Sequence, residues 1–316
     1  MLHLHRCERA DALTGPLADL LGEPPNDPFT SDVVAVPTRG VERWLAQRLS
    51  HRLGKGTDGE GGVCANIDFP SPAALVGDVL ATVLGTGPDD DPWQVDRLAW
   101  QLLEVVDDCA GEPWCSALGR HLGVADDDSS HRRTRRLTVA RHLASLFTSY
   151  GAQRPQLVRA WARGDDRDGA GGPVPPDLAW QPELWRRVRD AIGAPSPAER
   201  LDDALRLLHD DPAAVALPAR LNVFGPTRMP EEHLQVLAAL ALHRDVHLWL
   251  LHPSPALWQR TPTSAGTARR ADHPSPAHHP LLASMARDTS ELQARLAALG
   301  VEATDTHHPG SGGRRG

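Results

Sequence analysis

Two short stretches hold residue types that could grip an anion: Thr38-Arg39 in "VPTRG" and Thr227-Arg228 in "GPTRM". Each follows a compact apolar run, "DVVAV" (32–36) or "LNVFG" (221–225), and each precedes a helical pattern. In open parallel α/β sheets, ligands bind where the strands end. Arg39 and Arg228 are therefore candidate contacts to phosphate or a nucleic-acid backbone. Surface arginines flanking tight turns are the competing reading. A loop that handles a triphosphate needs more, in the form G-x-x-x-x-G-K-[ST]: backbone N–H groups cradle the phosphates, the lysine reaches them and the hydroxyl holds Mg²⁺. "PTRGVERW" has one glycine, and Val41 stands where a lysine would be sought. The chain's one lysine, Lys55, lies in "GKGT" with Leu49 at the first glycine position, and it follows a helix instead of preceding one. ATP hydrolysis by this chain is not expected, because the groups that stabilise the transferring charge are missing.

A third basic group opens a helix. "HRRTRRLTVARHL" (131–143) places Arg132, Arg133, Arg135, Arg136 and Arg141 near a helix start, where positive charge opposes the helix dipole. Arg132 and Arg133 are candidates to meet nucleic-acid phosphate. A partner's acids, or the "ADDD" just before them, are the alternatives. The 16 histidines raise the question of a metal. His3 and His5 share a strand face, and His278-His279 and His307-His308 are adjacent pairs in segments expected to be mobile. None has H-E-x-x-H or cysteine-paired zinc spacing, so solvated or core histidine is the expectation. The Asp clusters at 89–91, 126–128 and 165–168 lie among Gly and Pro and read as solvated loop acids, since two-metal chemistry needs carboxylates on rigid elements. No G-x-S-x-G and no Cys–His nucleophile pair is present. Trp44 and Trp100 read as core residues. Trp93, Trp114 and Trp258 sit near loop starts, where stacking on a base competes with core packing.

Composition narrows the class. The 316 residues suggest one large or two ordinary domains, and 41% apolar content supplies a core. The net charge of −8 argues against a whole-surface nucleic-acid binder and leaves room for a local arginine-lined groove. With a single lysine, phosphate contacts fall to Arg, His, hydroxyls or backbone N–H, and Arg suits bidentate contacts. Cys7, Cys64, Cys109 and Cys115 lack C-x-x-C spacing and read as reduced, mostly buried thiols of a cytosolic protein. "MLHLHRCERA" has no apolar signal core, and no apolar run approaches the roughly 20 residues that span a bilayer.

Periodicity supplies the elements that must position these residues. "LHLHR" (2–6) reads as a short edge strand, "DVVAV" as a buried parallel strand and "VCANI" (63–67) as another short strand. Helices are predicted at 10–21, after Thr38, at 72–84 behind a Ser71-Pro72 cap, at 93–107, 133–150, 180–193 and 196–210, the last with a Ser196…Glu199 capping box. Residues 220–255 read strand, helix, strand, a βαβ unit with a right-handed crossover. Residues 259–280 are rich in Pro and His, and 279–300 resume a helix. The fold class is α/β, with a parallel-sheet domain in two parts (1–84 and 211–300), an inserted helical lobe (85–210) and a disordered or aberrant tail (301–316).

Seven blocks in order, "VPTRGVERWLAQRLSHRLG", "GVCANIDFPSPAALV", "SYGAQRPQLVRAW", "AWQPELWRRV", "PSPAERL", "LNVFGPTRMPEEHLQVLAALALHRDVHLWLLHPSPALW" and "HPLLASMARD", resemble the N-terminal part of the RecC family, the gamma chain of the RecBCD helicase–nuclease, exodeoxyribonuclease V. The resemblance covers residues 1 to about 300. It implies an inactive superfamily 1 helicase-like (P-loop NTPase-like) sheet that has lost its nucleotide motifs, and no cofactor in this chain, with ATP and Mg used by the partner subunits RecB and RecD. It implies a cytoplasmic, nucleoid-associated scaffold that helps split duplex DNA and guides single strands, mainly the 3′-ended one, while scanning for the recombination sequence in double-strand break repair. By the same resemblance, "DFPSPAALVGD" and the helix ending "SLFTSYGAQRP" line the scanning tunnel, and Leu146 and Arg154 match its lining pattern. Ser71, Gly77, Ser145 and Thr148 stand where other members can carry larger or acidic side chains. Family chains are several times longer, so a truncated or frameshifted reading frame, or part of a split gene, is expected, with poor solubility alone. A remnant without activity and a stand-alone degenerate ATPase or nuclease are the competing readings.

Overall fold

The computed structural model describes residues 1–310 except 25, 26, 28, 56–61, 88, 89, 123–129, 261–276 and 278, together with the backbone but not the side chains of 130–134. The Asp cluster at 126–128, Asp89, His278 and the side chains of Arg132 and Arg133 therefore lie outside the described residues.

Six strands form one all-parallel sheet: β1 (Leu2–Cys7), β2 (Asp32–Ala35), β3 (Ile67–Asp68), β4 (Arg220–Phe224), β5 (Asp245–Leu251) and β6 (Ala303–His307), in the order β3-β2-β4-β5-β1-β6. Side-chain alternation splits its residues between two covered faces. Val33, Ala35, Leu221, Val223, Val246, Leu248, Leu250, Leu2 and Leu4 face α3 (Pro72–Leu84), α9 (Pro197–Asp210), α10 (Glu231–Ala241) and α12 (Pro280–Ala298). Val34, Val36, Phe224, Trp249 and Cys7 face α1 (Ala10–Gly22) and α2 (Arg39–Ser50). Burial on both sides explains why the central strands are runs of Val, Leu, Phe and Trp instead of a polar alternation.

A separate core lies among α4 (Val95–Cys109), α5 (Ser116–Leu122), α6 (Ser130–Gln153), α7 (Pro155–Ala162) and α8 (Trp180–Ile192), where Trp93 and Trp185 stack with ring centroids 5.9 Å apart. α11 (Pro255–Arg260) follows β5. α9 begins with Ser196, whose side chain accepts the Glu199 N–H while the Glu199 carboxylate accepts the Ser196 N–H. Its Leu201 and Leu208 pack on the sheet, while Ala198 belongs to the helical core, so α9 joins the two cores. The loop acids are tied down: Asp91 pairs with Arg200 at 2.6 Å, Asp166 with Arg186 at 2.6 Å, and Asp168 accepts the backbone N–H groups of Ala170 and Gly172.

Four expectations are corrected. β1 is not at the edge, because β6 pairs along its outer side. The segment after residue 301, read as a disordered tail, thus begins with a strand held by Arg6–Asp305 at 2.6 Å and by His3–Thr304 at 2.9 Å. Only Ile67 and Asp68 of the "VCANI" region pair, because Asn66 adopts a left-handed backbone (φ 59°), with its side chain bonded to Ser31 Oγ and Thr30 O. Trp100 is 61% exposed on α4, since Leu98, Ala99, Leu102 and Val106 take the inward face of that helix.

Candidate nucleic-acid interface

β2 passes to α2 in three residues, Val36, Pro37 and Thr38. Thr38 caps the helix, its Oγ1 accepting the Val41 N–H at 3.3 Å. The hydroxyl that a phosphate-binding loop would aim at Mg²⁺ is here committed to the helix end. Arg39 is the first residue of α2 and is exposed. β4 passes to α10 through residues 225–230, which include Pro226 and Pro230, two positions without a backbone N–H. Lys55 is exposed beyond the end of α2 and far along the chain from either strand end.

β2 and β4 are neighbours, yet their following helices cover opposite faces: α2 lies over Val34 and Phe224, and α10 over Val33 and Leu221. Such a divergence opens a crevice at the carboxyl ends of the strands. Arg39 and Arg228 flank it from the two sides. The Arg228 side chain is 55% exposed, with Nε 3.8 Å from Asp288 Oδ1, so a solvated guanidinium remains for an external anion.

Arg228 also lines a small, open hollow together with Gln153, Met229, Asp288, Glu291, Leu292 and Arg295. Arg295 spans it, donating to Gln153 Oε1 at 3.2 Å, to Met229 O at 3.1 Å and to Glu291 Oε1 at 2.7 Å. Gln156 adds a second link, donating to Glu231 Oε1 at 2.8 Å. These bonds join the end of α6 and the start of α7 to the sheet domain. Sequence reading missed Arg295, which looks like any other arginine on a helix face.

Leu146 is half-buried against the helical core, and Arg154 is half-buried at the residue before α7. Ser145 and Thr148 are exposed on α6, and Ser71 and Gly77 on α3. Both helices pack against α10. Arg132 and Arg133 are not part of this group. They start α6, whose 1.5 Å rise per residue puts them roughly 30 Å from Gln153. In the same turn region, Arg136 pairs with Asp107 of α4 and Arg135 donates to His121 O, so part of the arginine run holds helices together. Trp93 and Trp258 are buried, at 5% and 8% exposure, and cannot offer a face to a base.

The face shared by β1 and β5 brings histidines together. His308 Nε2, His5 Nδ1, His5 Nε2 and His247 Nδ1 form a chain with 3.0 Å steps, and His5 stacks on Trp249 at 4.0 Å. Burial, then the neighbouring rings His308 and His3, holds His5 down at about 4; burial, then His3 and His5, takes His247 to about 3. His307 and His308, expected in a mobile segment, are anchored by β6, whose residues carry no apolar signature.

These features define a parallel-sheet α/β protein with arginines at its strand ends and no lysine-bearing phosphate loop among the described residues. The chain belongs to the RecC family: the family model described as RecC, N-terminal domain, matches residues 2–311. It is 47% identical over 317 residues to the RecBCD enzyme subunit RecC of Mycobacterium tuberculosis (strain H37Rv), an alignment that covers 96% of this chain and 27% of that protein. It is 45% identical to the subunit of the same name in Mycolicibacterium smegmatis, over 93% of this chain and 25% of the relative, and 27% identical to that of Escherichia coli K12, over 82% and 22%. The chain thus spans about a quarter of the length of the curated relatives it matches. Among the described residues no helix is long and apolar enough to cross a membrane.

Proposed function

We propose that this chain is a non-catalytic, RecC-like scaffold that assembles with RecB and RecD subunits and guides DNA, mainly the 3′-ended single strand, during double-strand break repair by homologous recombination. Its sheet is read as an inactive superfamily 1 helicase-like domain, working in the cytoplasm at the nucleoid. ATP and Mg²⁺ are used by the partner subunits. One observation supports this reading above the others. The β2–α2 turn keeps the strand–turn–helix layout of a nucleotide enzyme, yet has only three residues, no lysine and a threonine spent on the helix cap. A three-residue turn does not supply the run of N–H donors that wraps a triphosphate. Arg39 and Arg228 serve a strand's phosphates at the crevice, and Leu146 and Arg154 belong to the tunnel wall. Arg132 and Arg133, on the far end of α6, contact DNA or a partner at a separate place.

The experiment is co-expression with the RecB and RecD counterparts, capture of one subunit and an ATPase assay on the chain alone. Co-purification of all three, with no DNA-stimulated ATP turnover by the isolated chain, is the expected result. Turnover by the isolated chain that Lys55→Ala abolishes would establish the ATPase reading instead. Failure to co-purify would leave a remnant.

A further inference from the structure

A second crevice opens between β5 and β1. These strands are neighbours, but β1 leads to α1 on the Cys7 face while β5 leads through α11 to α12 on the Leu248 face. Three residues leave the strand ends around it: Glu8 after β1, His252 after β5, and His307 at the end of β6. One potential ligand atom from each lies within 4.8 Å of the other two. His307 Nε2 is 3.3 Å from both carboxylate oxygens of Glu8. Two ligands of a tetrahedral zinc ion, each about 2.0–2.1 Å from the metal, stand roughly 3.3 Å apart, so this pair already has the required spacing.

His252 gives the independent sign of a ligand. Its residue is 3% exposed, and both ring nitrogens are buried with no hydrogen-bond partner. The Ser254 backbone stands near the ring but does not reach hydrogen-bond geometry. A buried imidazole with two orphan nitrogens is costly unless something bonds to it. Its ring lies between Trp258 and His307, with centroids 5.6 and 5.5 Å away, which fixes its orientation. Arg6 is the nearby cation. Asp305 takes its Nε at 2.6 Å and its guanidinium lies over the Trp258 ring, while its Nη1 is buried without a hydrogen-bond partner. Glu8 is exposed, which provides an entry path and room for water as a fourth ligand.

We propose that Glu8, His252 and His307 form a binding site for a divalent transition-metal ion of the zinc class, which clasps the ends of β1, β5 and β6. Two imidazoles and one carboxylate suit Zn²⁺ and disfavour Mg²⁺ and Ca²⁺, which take oxygen ligands. The clasp ties the polar edge strand β6 to the core of the sheet.

The test uses the tag-free 316-residue chain with Zn²⁺ as the probe, equilibrium dialysis with elemental analysis, and the visible spectrum of the Co²⁺ form. One equivalent of Zn²⁺ per chain is expected, with intense Co²⁺ bands of a four-coordinate site and a thermal midpoint raised by metal. Glu8→Gln and His307→Gln, both at partly exposed side chains and close in size, should each weaken binding by more than the roughly 10–100-fold that loss of an outer partner costs and abolish the metal-induced rise. His243→Gln, at an exposed histidine elsewhere, should change neither. The proposal is overturned if the chain binds no Zn²⁺, if the site variants bind it as the parent does, or if His243→Gln loses as much as they do.

Discussion

At the scale of single residues, the sheet stores histidines that must stay neutral. His5 and His247 have their ordinary value of 6.5 lowered to about 4 and about 3, with burial the first cause in both, and His233 on α10 is lowered to about 4 by burial alone. The groups facing the stack are His3, His308, Asp245 and Arg220; Asp245 works against the lowering, and the neighbouring imidazoles and Arg220 work with it. Since the folded values lie below the unfolded ones, the unfolded chain binds more protons as acid is added. Stability from these groups is fully present above about pH 6.5 and is lost as pH falls through 6.5 toward 4 and 3. Thermal midpoints measured from pH 8 down to pH 4.5 should be level at first and then fall. His247→Gln, which leaves one buried imidazole fewer to protonate, should make the fall shallower. An equally steep fall in the variant would place the acid sensitivity elsewhere.

At the scale of elements, Asn222 shows how a polar residue sets a central strand. It is fully buried, donating from Nδ2 to Val33 O at 3.3 Å and accepting the Trp249 indole N–H on Oδ1 at 3.0 Å. One side chain thus ties β4 to both neighbours. Asn222→Ala strands the buried Trp249 N–H, so a loss of about 1–3 kcal/mol is expected, read as a lower urea midpoint. Trp249→Phe in the Asn222→Ala background removes the stranded donor and should recover part of it, and a double-mutant cycle measures the coupling. The same elements show what a reader of sequence can see. β2, β4 and β5 are visible because burial on both faces demands continuous apolar runs. α3 and α9 are visible because Ser71-Pro72 and Ser196…Glu199 are local signals that the structure uses as written. β6 is not, since an edge strand can be "ATDTH" and draw its stability from main-chain pairing with β1. Trp100 misleads for the opposite reason: residue type suggests core, but its place on α4 points it away. The arginines at 39 and 228 are legible as strand-end residues. That they flank one crevice depends on strand order, and so does the meeting of Glu8, His252 and His307. Strand order is a long-range property that no local pattern encodes.

At the scale of the whole molecule, the net charge of −8 constrains the proposed DNA-guiding role. A surface with that balance repels a polyanion in general, so contact must come from a few arginines at defined places. Arg39, at the start of α2, and Arg228, in the connection from β4 to α10, follow the carboxyl ends of the neighbouring strands β2 and β4. On the proposed role, both arginines serve phosphates of the same DNA strand. Single-stranded binding loses about 0.7 in the slope of log K against log salt for each phosphate contact removed. In a complex assembled with the RecB and RecD counterparts, Arg39→Ala combined with Arg228→Ala should reduce affinity for a 3′-tailed DNA by about tenfold and flatten the slope by about 1.4. Arg39→Lys with Arg228→Lys should restore the slope, since the charges return, while recovering only part of the affinity, because a bidentate fork is lost. Fluorescence anisotropy over a series of salt concentrations reads both quantities. An unchanged slope in the double alanine variant would return these two arginines to the status of solvated turn residues and move the strand's path to the opposite end of α6, where Arg132 and Arg133 stand.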